Sequence, residues 1–258
     1  MKIFIYMIFD IKLNIKRIDK MNGQINEEIE KIIELYNNSV YGEEERAKTN
    51  QEGRASGGVI RSEKGGLVEY IARRLVELAW GKLGQDPDRL KLYSKEIKIP
   101  IKQEYIDKLK DEEIKNYIKQ NIKDYYYSYK PDILVEIDGI VVLEIECKAF
   151  TENAMLKRVL VDSTLLKTQY PKMKFILLQL ESQLGGDFSE LKDVTYGSPS
   201  THTLLSYFDI ELHIITLLKG ERKVDKPIHK KEFFKPLTKE SLQKAIDIIS
   251  SVLEEFSK

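Results

Sequence analysis

Asp132 and the run Glu144-Ile145-Glu146-Cys147-Lys148 hold the residue types from which a divalent-cation site can be built. Carboxylates are hard oxygen donors suited to Mg²⁺, an ion that keeps several of its waters when one or two carboxylates bind it. On a strand, side chains alternate between faces. Lys148 therefore shares the face of Glu146 and brings a positive charge to it, while Cys147 points the opposite way, into a core. Residue types alone decide little, because Lys+Arg and Asp+Glu number 42 each in 258 residues. Pro87-Asp88 followed by Glu96-Ile97-Lys98 is a second string of the same kind.

Chain geometry separates the two strings. Leu90–Ile101 reads as one strand, so Asp88 and Glu96 flank it about 26 Å apart at ~3.3 Å per residue and cannot share a cation. Asp132–Ile137 and Ile140–Ala149 instead read as two strands joined at Asp138-Gly139, a hairpin turn signal. The turn folds the strands together and brings Asp132 beside Glu146 at one end of a sheet. Register then matters. A regular two-residue loop would set Asp132 opposite Ile145 and leave Glu146 on the other face. An odd-length turn or a bulge puts Asp132, Glu144, Glu146 and Lys148 on one face, and the metal reading predicts such an irregularity. Leu143, Ile145 and Cys147 make the opposite face apolar. Glu144 reads either as a further ligand or partner at the site or, slightly favoured, as a continuation of a polar face.

The elements that must hold this hairpin follow from periodicity. Glu27–Tyr36 is helical, with Ile29, Ile32, Ile33 and Tyr36 on one side. Glu43–Gly66 is polar and reads as a loop; five of the 14 glycines fall between Gly53 and Gly66. A helix over Gly66–Lys82 carries Leu67, Ile71, Leu75, Leu78 and Leu83 as its stripe. Gln103–Ile122 is charged and helical and ends in the aromatic run Tyr125–Tyr129. After the hairpin come a helix over Thr151–Lys167, a buried strand over Lys174–Leu180, a loop-rich stretch, a strand over Ile210–Leu218, a basic segment and a helix over Lys239–Phe256. This order implies an α/β fold, a mixed central sheet flanked by helices on both faces.

Lys130-Pro131-Asp132 with Glu144-Ile145-Glu146-Cys147-Lys148, thirteen residues between Asp132 and Glu146, resembles the signature of the PD-(D/E)XK nuclease superfamily, which includes type II restriction endonucleases and nucleases of repair and recombination. The resemblance covers roughly 66–218. It implies a restriction-endonuclease-like fold and in-line hydrolysis of a phosphodiester with Mg²⁺, Asp132 and Glu146 as metal ligands and Lys148 as the third catalytic residue. It also points to Glu69, on the helix before the first core strand, as a catalytic glutamate; the alternative is a surface ion-pair ladder of Glu69, Arg73 and Glu77, spaced four apart. Of the subgroups, a restriction-type enzyme cutting double-stranded DNA at a fixed sequence fits best, with a structure-specific repair or recombination nuclease and a non-catalytic DNA-binding module as the alternatives. A homodimer on a palindromic site and a companion DNA methyltransferase protecting the same site belong to that expectation.

Satellite features are consistent with DNA but less specific. Arg54, Ser56, Arg61 and Lys64 lie in the glycine-rich segment, where a backbone can approach phosphates closely; no nucleotide-binding P-loop ending follows it. Arg222 and Lys223 lie in Lys219–Lys235, which holds seven Lys/Arg against three acids. Tyr196–Thr203 reads as a polar surface loop, His213 as structural, and Tyr125–Tyr129 as either base-stacking or packed at a sheet edge. The net charge of +0 argues against indiscriminate coating of nucleic acid and for a local contact patch. One cysteine excludes an intrachain disulfide and a thiolate zinc cluster and fits a reducing cytoplasm. The apolar run Ile3–Phe9 is too short to span a bilayer, so no membrane association is expected. Residues 1–20 read as an edge strand or, with Met21 before a good helix, as an over-extended start. The chain is expected to form a single nuclease domain over 1–258, with 219–258 adding the basic segment and terminal helix.

Overall fold

The computed structural model describes residues 23–40, 55–189 and 198–257, without the side chains of 55–64 and Asp187. The readings of 1–20, of Arg54 and of Tyr196 lie outside these residues, as do those of the side chains of Ser56, Arg61 and Lys64.

Among the described residues, seven strands form two sheets. β1 (Leu90–Tyr93), β4 (Ile133–Ile137), β5 (Ile140–Glu152), β6 (Lys174–Gln183) and β7 (Leu212–Thr216) make a five-stranded sheet in the order β1-β4-β5-β6-β7. β2 (Ile97–Pro100) and β3 (Tyr126–Tyr129) make a separate two-stranded sheet. β1, β4 and β5 are antiparallel neighbours, whereas β6 and β7 run parallel to β5. The parallel step requires a crossover, and α5 (Asn153–Gln169) supplies it between β5 and β6. The mixed sheet flanked by helices is the expected architecture.

Helices cover both faces. On one side α1 (residues 23–40), α2 (Ala55–Lys82) and α7 (Lys239–Glu254) share a core with Ile133, Val135, Leu143, Ile145 and Cys147. On the other, α5 lays Leu156, Val159 and Leu160 against Leu177. α7 shows why such faces form: Leu242, Ala245, Ile246, Ile249, Val252 and Leu253 recur at three- and four-residue spacing and are all buried. Its N-terminus is fixed by Thr238, whose hydroxyl accepts from the Ser241 amide. α2 is buried over a wider arc than the expected stripe, taking in Val68, Ala72, Val76, Ala79 and Trp80, because it packs against both the sheet and α7.

Four elements differ from expectation. Leu90–Ile101 is not one strand: the chain leaves the main sheet after Tyr93, Ser94 donates to the Pro131 carbonyl at 2.6 Å, and Ile97–Pro100 pairs with β3. The 43–66 loop is helical from Ala55 onward; the glycines there lower helix propensity by about 1 kcal/mol each, yet at Gly65 and Gly66 an added Cβ would meet nothing within 4 Å. The charged 103–122 helix is two, α3 (Gln103–Lys108) and α4 (Glu112–Gln120), the second capped by Asp111. Further along, residues 199–205 of the supposed polar loop form helix α6 (Pro199–Leu205), capped by Ser198. Thr201 pins α6 by donating to the Leu184 carbonyl at 2.8 Å. Gly185, at φ +97°, lies so close that an added Cβ would fall 2.5 Å from Ser198 Cβ.

Candidate active site

The β4–β5 hairpin sets the geometry. Its turn is the two-residue Asp138-Gly139, with φ 51° and 82°, the positive pair that matches strand twist. Arg89 holds this turn: its guanidinium bonds the Asp138 carboxylate at 2.7 Å, and its carbonyl accepts from the Asp138 amide at 3.0 Å. Ile137 pairs with Ile140 and Glu136 with Val141, as in a regular hairpin; beyond that point Val135 pairs with Leu143. Val142 is thus an extra residue in β5. The turn is not odd-length, but a bulge three residues past it makes the same parity change. Ile133 consequently pairs with Ile145, and Asp132, immediately before β4, falls level with Glu146.

Deleting Val142 should therefore leave the pairing on the site side unchanged and give an unbroken two-residue hairpin. The expected result is a loss of about 1.5–3 kcal/mol in stability, the burial of one valine, measured by denaturant unfolding.

On the face shared by Asp132, Glu144, Glu146 and Lys148, the charges converge. The Lys148 ammonium contacts Glu146 Oε1 and lies 3.7 Å from Asp132 Oδ2. Asp132 Oδ2 accepts from the Cys147 amide at 2.8 Å, a charge-assisted bond that fixes its orientation. Glu146 is 9% exposed. Burial raises its carboxyl, with Lys148 pulling the other way and Asp132 adding to the rise. Burial would lower Lys148, but the Glu146 carboxylate and then Asp132 outweigh it and hold the ammonium above its ordinary value. Gln179, fully buried, sits in register beside Lys148 on β6 and donates to Thr216 at 3.0 Å.

Glu144 does not continue a solvated face. It is 1% exposed, accepts from the Tyr129 hydroxyl at 3.2 Å through Oε1, and has no partner at Oε2 among the described residues. Burial first, then the Glu146 charge, raises its carboxyl well above 4.5. The folded state thus binds a proton at Glu144 more tightly than the unfolded chain does. Stability from this group is full below about pH 4.5 and is lost as pH rises toward the raised folded value. Gln, neutral at every pH, escapes that loss: Glu144→Gln should raise the melting temperature relative to wild type more at pH 8 than at pH 4.

Tyr129 was visible in the sequence only as the end of an aromatic run. It is buried, whereas Tyr126 and Tyr127 are exposed, and its hydroxyl reaches Glu146 Oε2 at 3.1 Å as well as Glu144. The available signal was its position three residues before Asp132.

The other sequence candidates surround this cluster or lie beyond it. Glu69, half-buried on α2, lies near enough to β5 for its charge to add to those of Asp132 and Glu146 in raising the Cys147 thiol, a shift due first to burial. Among the described residues it forms no ion pair with Lys148, and the ladder does not form either: Glu77 pairs with Arg74, which also pairs with Glu28 on α1. Arg222 is half-buried, stacked 3.8 Å over the Phe150 ring and donating to Gln183 at 2.8 Å. Phe150 is two residues beyond Lys148 on β5, so the stack borders the cluster; Lys223 is exposed. Burial lowers His213, as a structural histidine on β7 would show.

The donor set fits a divalent cation. Asp132 and Glu146 offer carboxylate oxygens on one face, and the ammonium now lying between them marks where positive charge is favoured. Among the described residues no group of three His, Cys, Asp or Glu is arranged to hold an ion, so protein ligands would be few, as Mg²⁺ tolerates. Also among these residues, no helix is long and apolar enough to cross a membrane.

No family model matches the chain. A solved structure, the native BbvCI A2B2 tetramer, aligns over 66% of this chain and 59% of its own at 12% identity and a TM-score of 0.35, too slight a likeness to argue from. The type II restriction enzyme DdeI of Desulfomicrobium norvegicum is a different matter: it is 49% identical over 239 residues, 91% of this chain and 100% of its own length. With identity of that order extending from end to end of the relative, the chain belongs to the type II restriction enzymes.

Proposed function

We propose that this chain cleaves double-stranded DNA at a fixed sequence with Mg²⁺ as cofactor, through a PD-(D/E)XK site made of Asp132, Glu146 and Lys148. The observation that carries the assignment of residues is the Val142 bulge, which turns an otherwise regular hairpin so that Asp132 comes level with Glu146 while Lys148 lies between them. The similarity to DdeI supports the substrate and the site-specific outcome.

Asp132 and Glu146 would hold the ion. When bound, Mg²⁺ lowers the pKa of a coordinated water and stabilises charge on the phosphoryl group. The protein's own parts are positional. The Cys147 amide fixes the Asp132 carboxylate. Lys148, freed from Glu146, orients the attacking water or offsets the charge that develops on the phosphate oxygens. Arg222, set against Phe150 beside the cluster, can pair a neighbouring phosphate; Lys223 and the Arg54–Lys64 segment are candidates for the same role. Glu69, whose charge is felt at Cys147, is a candidate for a further acidic role at the site. A homodimer, matching a two-fold cut site, and a methyltransferase that protects the same sequence complete the reading.

Incubation with mixed-sequence plasmid and Mg²⁺ tests it. Discrete bands that vanish on chelation are expected. A smear would replace the site-specific reading by a nonspecific nuclease, and intact DNA would remove the nuclease reading.

A further inference from the structure

Tyr129 joins two carboxylates that the proposed chemistry does not equally need. It ends β3, in the smaller sheet, and its hydroxyl lies 3.1 Å from Glu146 Oε2 and 3.2 Å from Glu144 Oε1 on β5 of the main sheet. The ring is 7% exposed, so water does not compete freely for the hydroxyl. Both oxygens of Glu146 are thereby assigned: Oε2 to Tyr129 and Oε1 to Lys148.

Glu144 is the feature that needs explaining. A buried acid with one oxygen lacking a partner among the described residues destabilises the fold, and an apolar side chain there would remove that cost. What the acid does provide is a second oxygen at the Tyr129 hydroxyl, whose single proton is shared between Glu144 and Glu146, so that the hydroxyl is held over Glu146. The segment leading out of β3 then supplies Asp132 three residues later, so one stretch of chain carries both a carboxylate and the clamp on its counterpart.

We infer that Tyr129 is a positioning residue that sets the metal affinity of the site, binding Glu146 Oε2 so that Oε1 is presented to the cation once Lys148 moves aside, with Glu144 holding the tyrosine in place. This rests on the reading of Asp132 and Glu146 as metal ligands. Partners of this kind, which orient a ligating group without touching the ion, typically change metal affinity by 10–100-fold when removed.

The test is Tyr129→Phe, which keeps the ring and removes only the hydroxyl. The Mg²⁺ concentration for half-maximal cleavage should rise about tenfold, with the KM for DNA unchanged and kcat at saturating Mg²⁺ within a few-fold of wild type. In the absence of DNA, the rise in melting temperature on adding Ca²⁺ should require correspondingly more Ca²⁺. Tyr129→Phe combined with Glu144→Gln removes the buried acid whose hydrogen-bond partner Phe would take away, and should show the same raised metal requirement on a stable fold. An unchanged requirement in both variants overturns the inference, as does a larger rise in Glu144→Gln alone than in Tyr129→Phe, which would make Glu144 a direct ligand. Asp132→Ala separates the two levels. If it cuts like wild type, the metal-site reading itself fails; if it is inactive while Tyr129→Phe keeps the wild-type requirement, only this inference does.

Discussion

Lys148→Ala is expected to lower the rate of DNA cleavage by at least about a hundredfold, the scale of losing one preorganised charge at a developing oxyanion, and Asp132→Ala to do the same or more. Neither should unfold the protein. Both side chains are one-quarter exposed, and neither belongs to the apolar cluster between the sheet and its helices. The two losses should nevertheless differ in kind. Removing Lys148 leaves Asp132 and Glu146 facing each other without a neutralising ammonium, so metal binding should survive or tighten while turnover falls. Removing Asp132 takes away a ligand, so binding of Ca²⁺ should weaken together with turnover. Asp132→Asn refines this: the amide oxygen can still accept from the Cys147 amide, so orientation is kept and only charge is lost. Single-turnover cleavage of plasmid, with circular dichroism as the control on folding, measures all three. Undiminished cutting by either alanine variant would falsify the assignment.

The largest expected effect on stability lies at the opposite end of the same hairpin. Trp80 is 1% exposed and donates from its indole to the Asp86 carbonyl at 2.8 Å. Arg89 sits 5.6 Å from the ring centroid and reaches on to Asp138 in the hairpin turn. The tryptophan thus anchors the end of α2 to the strand pair that carries the carboxylates. Trp80→Ala should cost about 3–5 kcal/mol through lost burial and the cavity left behind. Cleavage measured below the lowered melting temperature should stay within a few-fold of wild type, because Asp132, Glu146 and Lys148 are at the far end of the strands. Denaturant unfolding followed by circular dichroism gives the stability change; this is the only tryptophan, so fluorescence would lose its probe. A stability change below 1 kcal/mol would show that the turn is held without it.

The site was legible in the sequence to the level of residue types and parity, and no further. Alternation around Ile145 and Cys147 showed which face Glu146 and Lys148 share, because a strand has a fixed period of two. The need for one extra residue between Asp132 and Glu146 followed from the same period, but its location did not: a bulge at Val142 and an odd turn at Gly139 satisfy parity equally, and Val142 carries no mark of the bulge. Of the two readings of Glu144, the slightly favoured polar face fails: an alternating acid reads as solvated, and only the neighbouring β3, brought in from the second sheet, shows that it is covered. The split of Leu90–Ile101 was hidden for a similar reason. Each half is strand-like, and which sheet it joins depends on partners far away in sequence. The glycines between Gly57 and Gly66 spoke for a loop, yet the chain there is helical, an instance of context overriding a propensity of about 1 kcal/mol per residue.

The bond from the Cys147 amide to Asp132 has a bearing on how this site can vary. A main-chain N–H belongs to every residue except proline, so the anchor of the first carboxylate survives nearly any substitution at position 147. Cys147→Ser or Cys147→Ala would alter the apolar side of β5 and leave the anchor in place. Related chains can therefore differ at this position, within the side chains that the apolar core accepts, and still aim Asp132 identically, since the anchor is the path of a strand and not the identity of a side chain.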